Sequence, residues 1–151
     1  MIEIFRTDST NTDFKILVSQ LDKELFERYG QVQSNLDQHN KIETCDAVLI
    51  VKGNNNFIGC GCFKKYNKDT AEIKRMYVDP NYRGQGISKK IIGELEGWAK
   101  ELGYKYTILE TGIKQPEAIG LYKKYGYQRI DNYGQYHGVD TSVCMKKLIS
   151  E

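Results

Sequence analysis

The segment that most restricts the fold is Met76-Tyr77-Val78-Asp79-Pro80-Asn81-Tyr82-Arg83-Gly84-Gln85-Gly86-Ile87-Ser88, because it leads from an apolar strand, through a glycine loop, into the clearest helix of the chain. That helix covers Ser88 to Leu102. Ile91, Leu95, Trp98 and Leu102 recur on one face with Ile92 and Ala99 beside them, and Lys89, Lys90, Glu94, Lys100 and Glu101 are left for solvent. Gly103 is a natural stop. A strand, a glycine turn and a helix start form a ready anion site. The first helical turn carries unpaired N–H groups and a partial positive charge, and glycines let an oxyanion approach the main chain. Arg83, Lys89 and Lys90 add cationic donors nearby. The plainer alternative is a loop whose glycines merely turn the chain.

Periodicity places the other elements around this one. Ile2 to Arg6 reads as a strand, and Phe14 to Tyr29 as an amphipathic helix ending at Gly30, with a further short helix over Ser34 to His39. Ala47 to Lys52 and Phe57 to Tyr66 are strands joined by Gly53-Asn54-Asn55-Asn56, residues that accept the positive φ of a hairpin turn. Thr70 to Val78 is the third strand of that meander. Tyr106 to Glu110, Tyr127 to Asp131 and Thr141 to Leu148 are strands, and Pro116 to Tyr125 is a helix with Pro in its first turn. The order predicts an α/β (α+β) chain: a predominantly antiparallel sheet with helices on both sides.

At 151 residues one domain, 1–151, is expected. A net charge of +2 is too small to imply nucleic acid or an anionic membrane as the main partner. The start, Met1-Ile2-Glu3-Ile4-Phe5-Arg6, lacks the apolar run of a signal peptide, and no stretch approaches the roughly 20 apolar residues of a membrane span. A soluble, cytoplasmic protein is the expectation. Cys45, Cys60, Cys62 and Cys144 form no CxxC pair, and with only His39 and His137 a metal site is not supported. Cys60 and Cys62 read as small buried residues on one strand face.

A dinucleotide fold is the sharper rival for the glycine turn, since Gly84-x-Gly86 follows a strand and Glu110 ends the next. Lys89 stands where its third glycine belongs, however, and five residues separate Val78 from Gly84. Arg83-Gly84-Gln85-Gly86-Ile87-Ser88 resembles the signature of the GNAT acetyltransferases, Gln/Arg-x-x-Gly-x-Gly/Ala, with Ser88 in the last position. Gln115-Pro116-Glu117-Ala118-Ile119-Gly120-Leu121-Tyr122-Lys123-Lys124-Tyr125-Gly126-Tyr127 is similar to the family's second pattern, with Gln115 in place of its Asn.

The resemblance implies the GNAT fold, a mixed, mostly antiparallel sheet of six to seven strands with helices on both faces, and acetyl-CoA as acetyl donor. It implies that the main chain of Met76 and Val78, with Tyr77 between them, holds the acetyl and pantetheine portions. The loop Arg83, Gly84, Gln85, Gly86, Ile87 and Ser88 would hold the pyrophosphate, and Gln115 also falls in the donor site.

Acetyl transfer to an amine needs a base, because an alkylamine with a pKa of about 10.4 is almost wholly protonated at neutrality. Glu72 is the first candidate by resemblance, early on the strand that carries the donor; period two places Glu72, Lys74, Met76 and Val78 on one face. Glu110 is the rival, and for either a structural ion pair is the plainer role. Tyr122 is the candidate acid for the departing thiolate; a packing tyrosine is the default in a chain with 11 of them. The loop 132–140, aromatic and polar, is expected to line the pocket of a small-molecule or amino-acid-like amine, and Arg75 is placed to meet an acceptor carboxylate. A protein N-terminus or lysine is another acceptor. A non-catalytic acyl-CoA-binding regulator and a dinucleotide-dependent oxidoreductase remain as alternatives. Homodimers are common in the family, while the sequence itself sets no oligomeric state.

Overall fold

The computed structural model describes residues 1–29 and 45–150. The elements run β1 (Ile2–Thr7), α1 (Thr12–Tyr29), β2 (Ala47–Gly53), β3 (Asn56–Asn67), β4 (Thr70–Val78), α2 (Ile87–Glu101), β5 (Tyr106–Gly112), α3 (Pro116–Lys124), β6 (Gln128–Ile130) and β7 (Ser142–Leu148). Short 3-10 turns occupy Pro80–Tyr82 and Gly134–Tyr136. The expected helix over Ser34–His39 lies outside the described residues.

One seven-stranded sheet, ordered β1-β2-β3-β4-β5-β7-β6, carries the fold. Every neighbouring pair is antiparallel except β4 and β5, which run parallel and are joined by α2. Parallel neighbours need such a crossover, whereas the hairpin β2–β3 closes on Asn54 and Asn55, both at positive φ. α1 begins at Asn11, whose side chain accepts from the Phe14 amide at 2.9 Å.

Alternation along the strands sends side chains to two cores. Leu49, Val51, Phe63 and Ile73 pack under Ile87, Ile91 and Leu95 of α2. On the other face Val48, Ile50, Cys60, Cys62 and Tyr77 meet Phe14, Leu17 and Leu21 of α1. Phe63 is fully buried between the edges of Trp98 and Tyr104, with centroids 5.8 and 5.9 Å away. Truncating such a ring costs about 3–5 kcal/mol. Cys62 is also bonded to Cys45, whose Cα lies 6.2 Å away, a pairing that the reading of Cys62 as a plain packing residue did not anticipate.

Candidate active site

The site begins with a fault in β4. Cys60 pairs with Tyr77 but Cys62 pairs with Lys74, so Arg75 and Met76 together face the single residue Gly61. Arg75 takes up the extra residue in a left-handed conformation, φ 60°. Such a bulge shifts the side-chain alternation by one. Glu72 and Lys74 therefore do not share a face with Met76 and Val78, contrary to the period-two expectation. Met76 and Val78 pack on the α2 side, whereas Arg75 reaches Asp22 of α1. A Cβ on Gly61 would lie 2.7 Å from Met76 Sδ, so the glycine makes room for the displaced residue.

Beyond the bulge the sheet opens. β4 and β5 pair only from Thr70↔Tyr106 to Ile73↔Leu109, although β4 continues to Val78 and β5 to Gly112. The splay leaves a cleft with a volume of about 380 Å³, bordered by α1, the start of α2 and α3. Met76, Tyr77, Val78, Arg83, Gly84, Gly86, Ile87, Ser88, Gln115 and Tyr122 all line it; Gln85 is exposed and outside the lining.

Gly84 and Gly86 hold φ of 81° and 76°, and a Cβ on either would meet no protein atom within 4 Å. Gly86 is the N-cap of α2 and offers no side-chain cap, which leaves the helix N–H groups to the cleft. The Arg83 guanidinium is engaged locally. Its Nε donates to the Val78 carbonyl at 2.9 Å, and Nη2 contacts Glu24 at 2.8 and 3.0 Å. Gln115 Oε1 accepts from Thr111 Oγ1 and the Gly112 amide, both at 3.1 Å, pinning the end of β5 to the start of α3.

Glu24 and Arg28, one helical turn apart on α1, also border the cleft, and Arg28 pairs with Glu117 at 2.8 Å. Sequence reasoning missed all three. The i, i+4 spacing of Glu24 and Arg28 was the available signal, but it does not reveal which element they face.

A second, smaller cavity of about 150 Å³ adjoins it, lined by α1, β4, β5 and the start of α3. Lys74, Arg75, Glu110 and Tyr136 contribute its polar wall. Tyr122, Ala118, Gln115, Met76 and Leu21 line both cavities, so Tyr122 stands where they meet. Burial pushes its phenol well above the usual tyrosine range, with Tyr125 adding to the shift.

Among the described residues lining this cavity is Glu110 and not Glu72. Glu110 Oε2 accepts from Ser142 Oγ at 2.7 Å. Glu72, 5% exposed, accepts from the Tyr133 hydroxyl at 2.8 Å and lies 3.8 Å from Lys74 Nζ. Tyr133 in turn meets the edges of Tyr66 and Tyr136. The loop 132–140 thus does border the smaller cavity, through Tyr136.

Known proteins share this architecture. The model of the Acetyltransferase (GNAT) family matches residues 13–127. An IAA acetyltransferase of Azospirillum brasilense is 30% identical over 133 residues, 87% of each chain. A Klebsiella pneumoniae protein assigned as an acyl-CoA N-acyltransferase is 28% identical, with a TM-score of 0.81 over 99% of this chain and 98% of its own. A GNAT family acetyltransferase of Elizabethkingia anophelis, solved with acetyl-CoA bound, shares the fold at 19% identity and a TM-score of 0.68, covering 97% of both chains. No described helix is long and apolar enough to cross a membrane. The chain belongs to the Acetyltransferase (GNAT) family and is an N-acetyltransferase, with acetyl-CoA as its acetyl donor.

Proposed function

We propose that the chain transfers the acetyl group to the primary amine of a small-molecule or amino-acid-like acceptor by direct attack, with Glu110 as base and Tyr122 as acid. The observation that carries this reading is the position of Tyr122 on the shared wall of the two cavities, with Glu110 lining the smaller one.

The larger cleft fits an acyl-CoA. Open space over Gly84 and Gly86 suits a pyrophosphate against the start of α2, and the β4 main chain past Ile73 is open to the amides of a pantetheine arm. Bound acetyl-CoA supplies a thioester whose carbonyl carbon takes the amine and whose sulfur leaves. Met76, at the bulge, lines the cleft together with Tyr122, and its main chain is our candidate for stabilising the charge that develops on the thioester oxygen.

Glu110 takes the ammonium proton, directly or through water, so that a neutral nitrogen attacks. As the C–N bond forms and the C–S bond breaks, the nitrogen gives up its second proton to solvent. Tyr122 gives its hydroxyl proton to the thiolate and is then reprotonated. The products are the acetamide, free CoA thiol and one net proton. Glu72, behind Tyr133, holds the aromatic loop and Lys74 in place and moves no proton in this scheme.

The test is release of CoA thiol from acetyl-CoA in the presence of a panel of primary amines. Amine-dependent release supports the reading. Donor binding without release for any amine contradicts it and leaves an acyl-CoA-binding protein without catalysis.

A further inference from the structure

α3 carries Tyr122 yet buries none of its 9 residues fully, so whatever fixes the end of this helix decides where the phenol stands. Its last turn closes on Gly126, at φ 99°. The Gly126 amide donates to the Lys123 carbonyl at 3.1 Å, and the Tyr127 amide donates to that of Tyr122 at 2.9 Å. Such a closure folds the residue after the glycine back over the third residue from the helix end. Here those two are Tyr127 and Tyr122, whose rings meet edge to face with centroids 5.8 Å apart. A phenylalanine would serve for packing alone. The Tyr127 hydroxyl, on a residue only 2% exposed, is instead tied into other elements. It donates to Glu96 Oε2 of α2 at 2.9 Å and, with its one proton so used, accepts from Thr107 Oγ1 of β5 at 2.6 Å. Lys147 of β7 closes the chain on Glu96 Oε1 at 2.9 Å. A half-buried polar chain is rigid when every member has its partner. Tyr127 lines neither cavity, so it reaches the reaction only through Tyr122.

We propose that Tyr127 is a positioning residue for acetyl transfer: its hydroxyl, clamped by Glu96 and Thr107, fixes the ring that holds the Tyr122 phenol at the junction of the two cavities. The inference rests on the reading of Tyr122 as the acid and adds what aims that acid. Thr107 and Lys147 belong to the sheet and Glu96 to the helix that begins at the glycine turn, so the phenol is referred to the body of the fold and not to the short α3 alone. A displacement of about 1 Å at a reacting group can cost about a hundredfold in rate. Freedom of the Tyr127 ring is therefore expected to show in turnover and not in donor affinity.

The test is a double-mutant cycle in kcat for CoA release, at saturating acetyl-CoA and with the primary amine that gives the fastest release. Tyr127→Phe keeps the ring and removes the clamp. It is expected to lower kcat by about fivefold or more while calorimetric affinity for acetyl-CoA stays unchanged. In a Tyr122→Phe background, where no acid is left to aim, the same substitution is expected to change kcat by less than about twofold. Glu96→Ala is expected to reproduce the loss, and Glu96→Gln, whose amide oxygen still accepts from the phenol, to restore most of the rate. Wild-type turnover in Tyr127→Phe, or an equal loss with and without the Tyr122 hydroxyl, would overturn the inference and leave the acid role standing. Where Tyr127→Phe does not fold, the Glu96 pair decides: equal rates in the two variants would overturn it. Wild-type turnover in Tyr122→Phe, or no release with any amine, would overturn the acid role and this inference with it.

Discussion

Gly86 and Gly103 flank the same helix, and replacing each with alanine separates donor binding from backbone strain. Both are left-handed, with φ of 76° and 94°, and a Cβ on either meets no protein atom within 4 Å. Alanine there pays only the conformational penalty, about 1–2 kcal/mol. At this chain length that lowers Tm by about 2–8 °C in both variants. Only Gly86 lines the cleft. Its new methyl group enters the space assigned to the donor, whereas that of Gly103 lies at the far end of α2. Acetyl-CoA at 100 times its Kd adds about 2.7 kcal/mol to the wild-type stability, a rise in Tm of about 5–11 °C. Thermal unfolding with and without donor reads both effects. Gly103→Ala is expected to keep the full rise and Gly86→Ala to lose most of it. Equal rises in the two variants would refute the placement of the donor at the glycine turn.

Tyr122→Phe is expected to retain donor affinity and lose about 10²–10⁴-fold in kcat, the usual worth of a positioned acid; unchanged turnover would remove Tyr122 from the chemistry. Glu110→Gln is expected to abolish the acid limb of the pH–rate profile, while Glu72→Gln lowers the rate without moving that limb; the reverse pattern assigns the base to Glu72. Burial raises the phenols of Tyr127, next to Glu96, and Tyr136, near Glu110 and Glu72. Each therefore contributes stability that is complete below the unfolded tyrosine pKa of about 10 and lost above it, at about 1.4 kcal/mol per pH unit. Denaturant titrations should then give constant stability from these groups up to about pH 10 and a steep fall beyond it; a flat profile at alkaline pH contradicts the burial assigned to them.

Much of this fold was legible because strong local signals agreed. The 3.6-residue stripe of α2, the paired asparagines of the β2–β3 turn and the glycines at 84 and 86 each specify their own geometry, and the elements fall within a few residues of expectation. The bulge was not legible. Nothing in Glu72-Ile73-Lys74-Arg75-Met76 marks Arg75 as left-handed, since that conformation is imposed by pairing across to Gly61. Missing it assigned Met76 and Val78 to the face of Glu72. The disulfide of Cys45 with Cys62 and the approach of Glu24 to Arg83 were hidden for the same reason, as contacts between segments that only the folded sheet brings together.

The most direct test of the donor site is amide hydrogen exchange, residue by residue, with and without acetyl-CoA and with no acceptor present. Added protection confined to residues 76–78 and 84–88, flanking the splay of β4 and the start of α2, is the expected result. Protection elsewhere, or none at saturating donor, would contradict the assignment of this cleft to acetyl-CoA.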